Sequence, residues 1–102
     1  MKAKIFMTGS RLVKEAEAIL TREGCIYKYG TPKDTSEEIA DKLRDFDPDG
    51  LIVRQGKITQ AVLDSAKNLK VICKHGVGVD NIDVDAATDK GIPVMITINA
   101  NF

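Results

Sequence analysis

The chain is 102 residues long, with 15 Lys plus Arg against 15 Asp plus Glu and a formal net charge of zero. That length suits one domain or a piece of one, and the charge balance leaves no electrostatic footprint for nucleic acid or an anionic membrane surface. With 43% hydrophobic and 29% charged residues the sequence is too apolar for disorder. No apolar run approaches the roughly 20 residues of a membrane span.

From the N-terminus, Met1-Lys2-Ala3-Lys4 leads straight into the strand-like run Ile5-Phe6-Met7. The long apolar stretch and small-residue cleavage site of a signal peptide are missing there, so a cytoplasmic protein is expected. Residues 11–23 place Leu12, Ala16, Ile19 and Leu20 on one helical face. Ser10 caps the start, and Gly24 supplies a left-handed stop. The run Cys25-Ile26-Tyr27 follows. Thr35-Ser36-Glu37-Glu38 has the pattern of a capping box, opening a helix that buries Ile39 and Leu43 and ends before Pro48. Leu51-Ile52-Val53 is the third run. Thr59 caps a third helix, with Ile58 and Leu63 at the spacing of a hydrophobic staple. Val71-Ile72-Cys73 comes next, then a helix Val84 to Lys90 capped by Asp83 and stopped by Gly91 and Pro93. Val94-Met95-Ile96 is the last run.

Short runs of this composition, bounded by Gly, Pro or polar residues, describe strands buried on both faces of a parallel sheet. Five of them alternating with helices imply right-handed βαβ crossovers. The expectation is an α/β fold, a flavodoxin-like three-layer sandwich with a five-stranded parallel sheet in the order 2-1-3-4-5. Leu12, Ile19, Leu43, Leu63 and Ala87 should face the sheet. The final covering helix would be lacking, because the sequence stops at Ile98-Asn99-Ala100-Asn101-Phe102. Apolar surface near Val94–Ile98 would then favour self-association. Cys25 and Cys73, 48 positions apart, form no metal-ligand pattern with the single His75 and are expected to be buried, reduced thiols. No metal site is expected.

Ligands of open α/β sheets sit beyond the carboxyl ends of the strands. Gly76-Val77-Gly78 follows the fourth run and invites comparison with a dinucleotide fingerprint. Asn81 holds the place of the third glycine, however, and no acidic residue lies about 20 positions on. Two readings stay open: a plain tight turn, or a small nest whose backbone N–H groups point at an anion. Arg54 follows the third run directly. It is either a solvated arginine or a bidentate ligand for carboxylate or phosphate. Adjacent third and fourth strands would bring it to the same crevice as the Gly76–Gly78 turn, which favours the ligand. His75 has no carboxylate partner in sequence and reads as a loop histidine. Lys57 and Asp80 read as a solvated charge and a turn residue. Thr8-Gly9-Ser10 is either a helix cap or a weak phosphate loop.

The stretch Leu69 to Val94, with Gly50-Leu51-Ile52-Val53-Arg54 and the ending Asn99-Ala100-Asn101, resembles the D-isomer-specific 2-hydroxyacid dehydrogenases, the phosphoglycerate dehydrogenase-like group. The resemblance implies a single substrate-binding domain over residues 1–102, with the Rossmann NAD domain absent. It implies that Gly76, Val77 and Gly78 offer N–H groups to a substrate carboxylate, that Val77 lies beside the nicotinamide, and that Arg54 reaches substrate. The catalytic Arg, Glu and His of the family belong to the NAD domain, so no catalytic residue is expected in this chain. Ile98 stands where the family usually has proline.

The function so implied is the substrate half of an NAD- or NADP-dependent enzyme acting on a small 2-hydroxyacid or 2-oxoacid. The chain alone would be inactive and would not bind NAD tightly. A stand-alone flavodoxin-like module holding phosphate or flavin at Thr8–Ser10 is the alternative. A signalling receiver is excluded, since Thr8-Gly9-Ser10 and Arg54 occupy the places of its acidic residues.

Overall fold

The computed structural model describes residues 3–9, 18, 21–54, 56–75 and 81–97, with the side chains of His75 and Thr97 left aside. Five strands form one sheet: β1 Lys4–Met7, β2 Ile26–Tyr29, β3 Gly50–Val53, β4 Val71–His75 and β5 Val94–Thr97. Their order is β2-β1-β3-β4-β5, and every pairing is parallel. This is the expected topology.

The three described helices are α1 Ser36–Phe46, α2 Gln60–Ser65 and α3 Val84–Asp89. Each starts where its capping residue dictates. Thr35 Oγ1 accepts from the Glu38 N–H at 3.2 Å, and Glu38 Oε1 accepts from the Thr35 N–H at 2.9 Å, completing the box. Thr59 Oγ1 accepts from the Val62 N–H at 3.3 Å, and Asp83 Oδ1 from the Ala86 N–H at 3.0 Å. The end of α1 is less expected. Asp47, not a glycine, takes the left-handed conformation at φ 53° and donates its N–H to the Leu43 carbonyl at 2.7 Å. Aspartate tolerates that region better than most residues. The last helix is slightly shorter than expected, with Lys90 as its C-cap.

The helix predicted over 11–23 falls mostly outside the described residues, with Leu12 and Ile19. Ala18, Thr21 and Arg22 are helical, and Gly24 follows at φ 77°.

Register explains the core. Phe6 pairs with Leu51, Leu51 with Ile72, and Ile72 with Val94, so one row crosses four strands on a single face. Against it pack Ile39 and Leu43 of α1, Val62 and Leu63 of α2, and Ala86 and Ala87 of α3. Leu43, Leu63 and Ala87 are buried as expected. Each fully buried aliphatic side chain contributes about 1.5–3 kcal/mol. Thr21 meets Tyr27 across 3.4 Å on the other face of the sheet, so helical segments lie on both sides.

Three expectations need correction. The runs are not all buried on both faces: Ile26 is 42%, Met95 57% and Ile96 43% exposed. These residues lie on the edge strands β2 and β5, which have a neighbour on one side only. The second strand begins at Ile26 and runs to Tyr29, leaving Cys25 outside it. Finally, Cys25 and Cys73 are free thiols but only half-buried. Cys73 points away from the Ile72 row, toward the less covered face.

Candidate active site at the carboxyl edge of the sheet

At the carboxyl edge, β1 leads into Thr8 and Gly9, β3 into Arg54, and β4 ends at Lys74 and His75. The Thr8 N–H continues the ladder by donating to the Ile52 carbonyl at 2.9 Å. The Arg54 N–H then donates to Thr8 Oγ1 at 3.1 Å. Thr8 is 1% exposed, whereas Arg54 is half-buried. The Thr8 hydroxyl is therefore packed away and engaged with protein. That removes it as a phosphate ligand. Ser10, the other polar residue of that candidate loop, lies outside the described residues.

Arg54 opens a loop held at both ends. Gly56 adopts φ 92°, and its carbonyl accepts from Asn81 Nδ2 at 2.8 Å. Ile58 and Ile82 pair as an isolated parallel bridge. Asn81, read in sequence as an interruption of a glycine fingerprint, thus ties the loop after β3 to the segment entering α3. Lys57 is exposed, as a solvated charge should be, and its carbonyl accepts from Ser36 Oγ at 3.0 Å.

β3 and β4 are neighbours, paired through Val53 and Lys74. Arg54 therefore stands beside the strand that runs on into Gly76, Val77 and Gly78. Those three residues and Asp80 lie outside the described residues, and His75 is placed by its backbone alone.

Two roles were not legible in the sequence. Thr8 anchors Arg54, a relation across 46 positions that no local pattern signals. Lys74 is 9% exposed, in register between Val53 and Ile96. Its signal was present, a charged residue within an apolar β-run, which is costly to bury and hence informative. Among the described residues no three His, Cys, Asp or Glu side chains gather as a metal site.

The family described as D-isomer specific 2-hydroxyacid dehydrogenase, catalytic domain, matches residues 5–102. The chain belongs to this family. It is 54% identical over 67 residues to D-3-phosphoglycerate dehydrogenase of Methanocaldococcus jannaschii, covering 65% of this chain and 12% of that protein. An NAD+-bound 3-phosphoglycerate dehydrogenase of Entamoeba histolytica superposes with a TM-score of 0.82 at 28% identity, over 95% of this chain and 33% of that one. A protein of Pyrococcus horikoshii superposes with a TM-score of 0.80 at 34% identity, over 95% of this chain and 28% of that one. The chain thus spans a third or less of the length of these proteins.

Gly56 is not set for a pyrophosphate. A pyrophosphate needs open glycine N–H groups at the start of a helix. The glycine described in the loop after β3, Gly56, instead sits against the core, where an added Cβ would lie 2.7 Å from Ile39 Cδ1.

Proposed function

We propose that this chain, residues 1–102, is the substrate-binding part of an NAD- or NADP-dependent oxidoreductase acting on the CH–OH group of a D-2-hydroxyacid of phosphoglycerate type. The observation that carries this reading is Arg54. It leaves β3 at the carboxyl edge, beside the strand that leads into Gly76-Val77-Gly78. A guanidinium fork suits a carboxylate or phosphate, and the backbone N–H groups of a glycine-rich segment can suit the same oxyanion. Neither group supplies a proton. Their work is to hold the acid so that its hydroxyl-bearing carbon is oriented. Val77 borders the nicotinamide in this reading.

The hydride acceptor and the acid–base residues belong to a Rossmann domain outside this sequence. The 102-residue chain alone neither binds NAD tightly nor turns over substrate. It works in the cytoplasm, without nucleic acid or membrane as partner, and associates with itself or with the Rossmann domain. The family supports the class of reaction, and the phosphoglycerate dehydrogenases among the relatives support the type of acid.

The test joins this chain to the NAD-binding domain of a family member. Arg54→Ala should weaken substrate use by about one to two powers of ten, the worth of a charge-assisted hydrogen bond of roughly 1.5–3 kcal/mol. NAD affinity should stay unchanged. Unaltered substrate kinetics in Arg54→Ala would refute the assignment, and NADH formation by the pure 102-residue chain would refute the division of labour.

A further inference from the structure

We infer that Thr8 is the positioning residue for Arg54, its side-chain hydroxyl ending strand β3 at the residue that meets the substrate anion. The inference rests on the proposed role of Arg54. In a parallel ladder a residue is bonded to the two residues flanking its partner. Met7 pairs with Ile52, so Thr8 faces Val53 and is flanked by Ile52 and Arg54. The first of its two bonds is regular, Thr8 N–H to the Ile52 carbonyl at 2.9 Å. The second is not. Where a continued ladder would give the Arg54 N–H to the Thr8 carbonyl, it goes to Thr8 Oγ1 at 3.1 Å. The strand stops at Val53, and the backbone bends at Arg54.

The surroundings allow little slack. Thr8 is 1% exposed, and the chain leaves it through Gly9, itself buried, at φ 82°. A threonine side chain is stiff at χ1, so its oxygen is a fixed acceptor. With valine at this place the Arg54 N–H has two options. It stays unpaired at a half-buried edge, or it swings to the main-chain carbonyl and extends β3 by one residue. Successive side chains of a strand point to opposite faces, so such an extension fixes Arg54 on the face opposite Val53. The hydroxyl therefore sets where the guanidinium emerges without itself touching substrate.

The test is an amide-shift titration of the 102-residue chain with 3-phospho-D-glycerate. Wild type should show saturable shifts, and Arg54→Ala should weaken binding about 10- to 100-fold. Thr8→Val should weaken it roughly 2- to 10-fold, the worth of one neutral hydrogen bond. Thr8→Ser, which keeps the hydroxyl, should stay near wild type. In the Arg54→Ala background Thr8→Val should add nothing, because the two act as one unit. Hydrogen exchange at the Arg54 amide should accelerate in Thr8→Val more than at Ile52 or Val53. Thr8→Ala serves for both readings if the valine chain does not fold.

Two results overturn the inference while leaving Arg54 in place: wild-type affinity in Thr8→Val, or the same loss from Thr8→Val with and without Arg54, which marks a purely structural role. Wild-type affinity in Arg54→Ala, or no saturable shift in the wild type, refutes the substrate reading itself, and the inference falls with it.

Discussion

Ile58 and Ile82 face each other as a parallel bridge pair outside the main sheet. Ile58 donates its N–H to the Asn81 carbonyl at 2.7 Å, and its carbonyl accepts the Asp83 N–H at 2.9 Å. Both side chains are buried, Ile58 at 1% and Ile82 at 6% exposure. The bridge joins the loop that follows Arg54 to the segment that follows Gly76–Gly78 in sequence, one residue before each helix cap. Ile58→Ala should cost about 2–5 kcal/mol, as a buried aliphatic truncation that leaves a cavity. Urea denaturation checks this, and a loss under 1 kcal/mol would show that the bridge carries little of the fold.

Asp34 should make stability fall at acid pH. Its carboxylate, 5% exposed, accepts from Lys42 Nζ at 2.7 Å, from the Thr31 N–H at 3.0 Å and from Thr31 Oγ1 at 2.8 Å. Burial alone would raise its pKa. The hydrogen bonds from Lys42 and Thr31 and the Lys42 charge outweigh that and hold it below the ordinary value of 3.8. A depressed carboxylate pKa stabilises the fold above the unfolded pKa, and the contribution is lost as pH falls through the folded one. Asp34→Ala should therefore destabilise the chain by about 1.5–3 kcal/mol near neutrality. That difference should shrink once the pH drops below the ordinary carboxylate range. Urea midpoints of both chains from pH 7 to pH 2.5 decide it, and a pH-independent gap would contradict the assignment.

Two glycines with positive φ should respond differently to alanine. Gly91 sits at φ 72° with open space around an added Cβ, so Gly91→Ala should cost only the left-handed penalty of about 1–2 kcal/mol. Gly56 sits at φ 92° and would place its Cβ 2.7 Å from Ile39 Cδ1. Ile39 is 1% exposed, so its methyl must move within packed core. Gly56→Ala should cost measurably more than Gly91→Ala by thermal denaturation. Equal losses would show that the Ile39 contact relaxes freely.

The exposed edge of β5 should govern self-association of the chain. Met95 is 57% and Ile96 43% exposed on adjacent positions that point to opposite faces. A charge on an edge strand blocks pairing with a second copy. Met95→Lys should lower the sedimentation coefficient at high concentration toward that of a single chain. A wild-type profile that is already monomeric would remove self-association from the proposal.

Much of the fold was legible because its signals are local. Thr35 with Glu38, Thr59 and Asp83 each cap a helix whose start depends on three or four consecutive residues. The strands could be read from short β-branched runs between turn residues, and their parallel order followed from the alternation with helices. The strand ends were less legible: Tyr29 and Lys74 are polar or amphipathic, and their inclusion depends on a neighbouring strand offering a ladder. Arg54 could be singled out as the residue after β3. What fixes it could not, because the Thr8 hydroxyl reaches it only once β1 and β3 are adjacent.

The sequence by itself thus determined the five strands, the three described helices, the α/β class and, through Leu69–Val94, the family, since caps, periodicity and motif spacing are properties of neighbouring residues. Only the tertiary structure decided that Lys74 is buried, that Thr8 ends β3 at Arg54, that Ile58 bridges Ile82, and that Lys42 holds Asp34. Each of these depends on groups far apart in sequence meeting within hydrogen-bond or packing distance. Such meetings are set by the register and layering of the whole sheet, which no single segment encodes.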